Sequence, residues 1–348
     1  MTVLPAPSRT RWRVGSVLAA VFGLALFAYT LRETGLEPVL EGFRRVGAVF
    51  LVIVVLSGLR LAARAWAWIL CTDQPHALRL RDTFPALVTG DALGNLTPLG
   101  LVVSEVTKAA FVRHRVSLMG ALAGIAIENL FYVLTVAAVI AGGTVVLLGI
   151  FDVPGPMRVM SLAALVAMVG FIVVALALAS GRFRPLTQVV TRLEGWWFAP
   201  QALTGRLGKL QLLEDRVYTF AQRNPSVPVP VLLLEGAYHA LGVAEVYLTV
   251  ALITDSAPAT LLTAFLLESL NRFINVAFKF VPLRLGVDEA GTGLLAQVLG
   301  YGSAVGVTLA LVRKARMLVW TAVGVAFLTA RGLRPQDSDW GQVSSRTP

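Results

Sequence analysis

The chain carries little charge and almost no sulfur chemistry. Asp, Glu, Lys and Arg make up 14% of its 348 residues, where a soluble domain holds about a quarter. A single cysteine, Cys71, rules out an intramolecular disulfide. The three histidines, His76, His114 and His239, lack metal-ligand spacing. There is no phosphate-binding loop: Gly205 to Lys209 reads GRLGK, without the spacing or the Ser/Thr that such a loop needs. No G-x-S-x-G elbow, HExxH helix or paired-metal carboxylate cluster occurs. Nothing here proposes ATP hydrolysis or a catalytic centre, so we expect no enzyme, no cofactor and no metal.

What is present is apolar. Hydrophobic residues reach 56% and mean hydropathy is +0.75, a balance suited to lipid rather than water. The net charge is +10. In a soluble chain that would suggest nucleic acid. Here the basic residues sit in loops between apolar runs, as they do on the cytoplasmic side of membrane proteins, and no nucleic-acid motif accompanies them, so we expect no nucleic-acid partner.

A membrane-spanning helix needs roughly 20 apolar residues. Full spans are expected at about 14–31, 47–70, 118–149, 158–180, 228–253, 258–281 and 304–330. The first could serve as a signal peptide, but it is long and lacks a clean cleavage site, so we read it as an uncleaved span. Two further apolar stretches, about 83–103 and 283–302, are interrupted by Gly and Pro. Basic residues at 79–81, 106–117 and 182–223 put the N-terminus and the long central loop in the cytoplasm. That orientation requires stretch 83–103 to return to its own side, as a re-entrant segment does. The expected architecture is an all-α polytopic membrane protein: about seven full transmembrane helices plus two re-entrant segments in an internal repeat. Residues 1–331 form one transmembrane domain, and 332–348 a polar, disordered tail.

The repeat rests on two octets. Pro98 to Glu105 reads PLGLVVSE and Pro282 to Glu289 reads PLRLGVDE, sharing P-L-x-L-x-V-x-E at an offset of 184. The proline and the glutamate are the informative matches, because both are costly at membrane depth. Paired broken segments, one per half, are the best sequence pointer to a transporter's binding site. Four spans between the octets would make the repeat parallel. An inverted repeat needs an odd number, and so a break misread at Gly142-Gly143 or near Pro258.

The stretch Leu96 to Arg115, LTPLGLVVSEVTKAAFVRHR, resembles the first motif of the lysylphosphatidylglycerol synthase transmembrane family. Val281 to Gly300, VPLRLGVDEAGTGLLAQVLG, resembles its second. The resemblance implies a polytopic domain that moves lipids, of the kind found in aminoacyl-phosphatidylglycerol proteins and as stand-alone proteins near hopanoid, isoprenoid-lipid or glycolipid pathways. It carries the motif glutamates to Glu105 and Glu289 and the basic positions to Lys108 and Arg313. Ser104 stands where a glycine precedes the glutamate, and Asn129 where many members have arginine after Glu128. These departures leave the lipid class open.

Charges within the spans are the remaining candidates. Glu105 and Glu289 read as functional, against a plain role at a helix N-terminus. Arg60 and Arg64, four apart, either snorkel to the interface beside Trp66 and Trp68 or grip a lipid phosphate. Glu128 either pairs with an arginine or takes up protons. Glu268 and Arg272 have the spacing of an intrahelical pair. Glu235 and His239 share a face, with His239 read as a packing residue, while Asn271 and Asn275 join helices and Lys279 snorkels. The expected function is transport of a lipid with an anionic headgroup across a bacterial-type inner membrane, for an anionic phospholipid, a polyprenyl-linked lipid or a hopanoid-type lipid. A membrane-embedded headgroup transferase and a scaffold for biosynthetic enzymes are the alternatives, and a homo-oligomer is compatible with either.

Overall fold

The computed structural model describes residues 28–30, 32–73, 75–97, 100–179, 219–220, 222–254, 258–278, 281 and 284–330. Most of the expected first span, most of the central basic loop, Lys279, both octet prolines and the C-terminal tail lie outside these residues. The described residues form ten α-helices and a short 3-10 turn, with no strand among them.

A short amphipathic helix, α1 (Leu36–Val46), buries Val39, Gly42 and Val46. Then come α2 (Val49–Leu70), α3 (Leu80–Leu96), α4 (Gly100–Phe111), α5 (Leu118–Ile150) and α6 (Gly155–Ala179). After the central loop follow α7 (Pro228–Ile253), α8 (Leu261–Ala277), α9 (Val287–Val298) and α10 (Ser303–Ala330). Local chemistry sets the boundaries. Thr97 is extended at φ −121°, ψ 145°, as a residue before proline prefers, and so α3 stops short of Pro98. Ser117 caps α5, its side chain accepting from Gly120 N–H at 3.1 Å. Thr260 and Thr263 form a capping box that starts α8.

Four helices, α2, α5, α6 and α7, are long and apolar enough to cross a membrane. Their outer faces are greasy: Val159, Val166 and Val173 of α6 and Leu51 and Val55 of α2 are all exposed, a pattern that only lipid tolerates over such an area. Inside, Ile53, Leu267, Leu295 and Leu309 pack into one core shared by both halves of the chain.

The two halves follow one plan. Helices α2 to α5 run 22, 17, 12 and 33 residues, and α7 to α10 run 26, 17, 12 and 28. Their neighbours correspond as well. α2 packs on α3 as α7 packs on α8, α3 pairs with α4 as α8 with α9, and α4 meets α5 as α9 meets α10. Across the halves, α10 lies on α3 as α5 lies on α8, while α2 and α7 lie against each other.

The stretch expected as a span at 258–281 holds the 17-residue α8, which matches α3 in length and in its neighbours. α5 runs unbroken through Gly142 and Gly143, so no break falls there. Among the described residues, the helices α5, α6 and α7 lie between the α3–α4 and α8–α9 pairs.

Candidate functional site

Almost every charge expected at membrane depth is buried, and the structure sorts them into four groups. The largest lies where α2, α7, α8 and α10 meet. Glu268 of α8 accepts from Arg60 Nη2 at 3.1 Å, from Arg272 Nη2 at 2.5 Å and from Arg313 Nη2 at 3.4 Å. Glu245 of α7 accepts from Arg60 Nη1 at 3.0 Å and from Arg316. The phenol of Tyr238 accepts from Arg272 Nη1 at 2.9 Å, and its ring lies 4.6 Å from the Arg60 guanidinium carbon and 4.7 Å from that of Arg272. Four guanidiniums thus face two carboxylates, a local excess of two positive charges. Three N–H donors, Arg60 Nε, Arg272 Nε and Arg313 Nη1, are buried without a hydrogen-bond partner. Planar, always-charged guanidiniums suit such desolvated clusters and match phosphate geometry.

Gly242 makes the crossing feasible. A Cβ there would lie 2.5 Å from Glu268 Oε1 and 3.0 Å from the Arg60 guanidinium, so the bare backbone of α7 is the gap through which α2 reaches α8.

One turn along α2, Arg64 donates Nε to Glu128 Oε1 at 2.8 Å and Nη2 to Glu128 Oε2 at 3.1 Å, a bidentate pair. Nη2 also reaches Asn129 Oδ1 at 3.2 Å, and the guanidinium stacks 4.0 Å from the Tyr132 ring. Arg60 and Arg64 are only 5% and 8% exposed, so neither snorkels. Their carboxylate partners, invisible as such in the sequence, hold them inside. Asn129, where the motif would have arginine, accepts from Arg64; a second guanidinium there would repel it.

The third and fourth groups occupy the broken pairs. In the first, Lys108 of α4 lies 3.0 Å from Asp91 of α3 and 3.2 Å from Glu105, and Ser104 donates to Asp91 at 3.3 Å. In the second, Glu289 of α9 accepts from Lys314 Nζ at 2.5 Å and from the Gly286 N–H at 2.8 Å. Glu289 therefore does cap its own helix, the plainer reading, and at the same time neutralises a buried lysine. Before it the chain turns through Arg284, φ 50°, and Gly286, φ 79°. Glycine accepts that region freely, whereas arginine does so under strain.

The octet glutamates thus sit in different surroundings, and each belongs to its own pair rather than to a shared centre. The centre is built instead from Arg60, Glu268, Arg272 and Arg313, with Glu245, Arg316 and Tyr238 added. Glu268 and Arg272 do pair, as their spacing suggested, but Arg60 and Arg313 join them, so they are not mutually neutralised. Asn271 donates to Glu268 at 3.5 Å within its own helix, and His239 meets Thr135 at 3.2 Å, as a packing residue would. The run Arg313-Lys314-Ala315-Arg316 held the signal for the missed cations: three basic residues inside an apolar stretch too long to be a loop.

Between α2, α3 and α10 a half-open groove of about 140 Å³ exposes both kinds of group: Arg316 and Asp91 line it, with Ser57 and Asn95, against an apolar wall of Met317 and Trp320.

A sequence profile of a known family matches residues 16–324. The chain belongs to the lysylphosphatidylglycerol synthase TM region family. No curated protein and no solved structure matches it. The family and the four long apolar helices together make this an integral, multi-pass membrane protein acting in a lipid context. The profile spans both halves of the family domain, so the duplicated helix plan and the buried charge groups lie within it.

Proposed function

We propose that this protein carries a lipid with an anionic headgroup across the inner membrane, and that it is a transporter rather than an enzyme. The observation that carries the reading is the central cluster. Three buried guanidiniums and the half-buried one of Arg316 against two carboxylates, with three unfilled donors, make a largely desolvated site short of negative charge. A lipid phosphate supplies that charge in the geometry that guanidinium binds best. The groove between α2, α3 and α10 leads toward the cluster through Arg316, and its apolar wall suits the lipid's glycerol and chains.

The repeat supports alternating access. Three long helices among the described residues, α5, α6 and α7, separate the two pairs, which supports a second half entering the membrane in the opposite sense from the first, the arrangement of inverted-repeat transporters whose sites lie where the halves meet. On this reading α3–α4 and α8–α9 are re-entrant hairpins and the N-terminus is cytoplasmic. The headgroup binds between the halves while its chains stay in lipid. Anionic phospholipids, polyprenyl phosphates and phosphate-bearing hopanoid-type lipids all present the required group.

Headgroup translocation in proteoliposomes, with a panel of labelled anionic lipids, tests this. Wild type should move at least one of them, and folded Arg313→Gln, Glu105→Gln and Glu289→Gln variants should be slowed at least tenfold, the size of a coupling of about 1.4 kcal/mol. Product formation from a donor and a lipid in detergent, without vesicles, would instead favour a transferase. Lipid movement by none of the panel would favour a scaffold.

A further inference from the structure

Among the described residues, one buried carboxyl group takes part in no ion pair. Glu235 of α7 is wholly buried, and neither of its oxygens has a hydrogen-bond partner. α7 packs on α2, α5 and α8, and the next turn of the helix after Glu235 meets them: the Tyr238 ring lies 5.9 Å from the Arg64 guanidinium and its hydroxyl accepts from Arg272, and His239 meets Thr135 of α5. Arg64, Glu128 and Arg272 are near enough to act on the charge of Glu235. Tyr238 and His239 follow it on its own helix.

The cations around it already have carboxylate partners. Arg64 spends both arms of its fork on Glu128 and also reaches Asn129. Arg272 is held by Glu268 and Tyr238. His239 directs Nε2 to Thr135. A carboxylate at Glu235 would be a second negative charge beside one shared guanidinium, buried and without a donor, which is among the costliest arrangements a membrane interior can hold. A neutral carboxyl group removes that cost, and two carboxyls around one cation share a single proton readily.

We propose that Glu235 is a proton-binding site, and that its loading and unloading couple lipid transport to proton movement. Unloading breaks the carboxyl O–H bond, leaves the electron pair on the carboxylate oxygen and gives the proton to water. The new charge then competes with Glu128 for Arg64. Arg64 is stacked on Tyr132 and lies 5.9 Å from the Tyr238 ring, the same ring that Arg60 and Arg272 stack on. A shift of Arg64 thereby reaches the guanidiniums assigned to the headgroup. The proton site stands on the geometry alone; the coupling rests on the transport reading.

Infrared difference spectroscopy of the purified full-length protein tests the site without any lipid assay. Wild type should show the C=O stretch of a protonated carboxylic acid near neutral pH, displaced in heavy water and lost as pH rises. Glu235→Gln should lack that band. Glu128→Gln should lack it too at the same pH, because the remaining carboxyl then ionises to pair with Arg64. A wild type without the band, or a band surviving in either variant, overturns the site. Coupling is then read in proteoliposomes of phosphatidylglycerol under an imposed pH gradient. The gradient should change wild-type headgroup movement on the order of tenfold and leave Glu235→Gln movement unchanged. Wild-type movement indifferent to the pH gradient, or driven by a sodium gradient instead, overturns the coupling. If the band behaves as stated but no lipid moves under any condition, the transport reading fails and the proton site stands.

Discussion

Replacing Glu268 by Gln tests the arginine cluster most directly. The side chain keeps its shape and loses its charge. Glu268 accepts from three guanidiniums, at 3.1, 2.5 and 3.4 Å, so the change leaves three buried cations and the half-buried Arg316 facing Glu245 alone and points an amide N–H₂ at a donor. Each contact of about 4 Å between unit charges is worth roughly 4 kcal/mol at an effective dielectric of about 20. Relief of desolvation offsets most of the sum, and removal of one partner from a buried pair costs about 3–5 kcal/mol net. The folding equilibrium should fall roughly a hundred- to several-thousand-fold, measured by reversible unfolding in bicelles. Glu41→Gln breaks the exposed Glu41–Arg45 pair at 3.4 Å and should cost less than about 0.5 kcal/mol. Adding Arg272→Gln to Glu268→Gln should recover part of the loss, because one unpaired cation leaves with its partner. A Glu268→Gln protein within about 1 kcal/mol of wild type, or a double variant with the losses simply added, would refute the cluster as drawn.

Other changes follow from the same geometry. Gly242→Ala places a methyl group against the Arg60–Glu268 pair and should cost about 1–3 kcal/mol in the same assay, whereas Gly236→Ala, with open space around it, should be neutral or slightly stabilising. Arg64→Lys keeps the charge but loses the bidentate fork and the stacking on Tyr132; thermal unfolding in detergent should show a loss of about 1–2 kcal/mol. Arg284→Gly relieves the left-handed backbone and should raise stability by about 1 kcal/mol, and a fall in lipid movement alongside that gain would mark Arg284 as held under strain for function.

That the chain is an all-helical, multi-pass membrane protein was legible because span length is a one-dimensional signal. The octets announced the duplication for the same reason: proline and glutamate stand out against an apolar background. The helix plan of the second half was not legible. α8 is apolar and flanked like a span, and its likeness to α3 in length and neighbours appears only in the folded structure. The site was half legible. Arg60, Arg64, Glu128, Glu268, Arg272 and Arg313 stand out as charges in apolar runs, but spacing within one helix cannot reveal a partner on another. Snorkelling was a sound expectation for Arg60 and Arg64 until Glu245, Glu268 and Glu128 were found opposite them. Asp91 escaped notice because it lies in a Gly-rich stretch where a polar residue looks like a loop.

The long-range ion pairs also bear on how the chain is made. α2 reaches the membrane carrying two arginines with nothing to neutralise them. The partner of Arg64 is synthesised 64 residues later, and those of Arg60 come 185 and 208 residues later. Lipid is a poor place for two bare guanidiniums to wait. α2 should therefore linger beside the insertion machinery, or with its arginines turned to water, until α5 and then α7 and α8 arrive. Release into the bilayer would be ordered by charge neutralisation rather than by chain position. Truncations that stop before α7 should be retained by the inserter or degraded, however hydrophobic their helices.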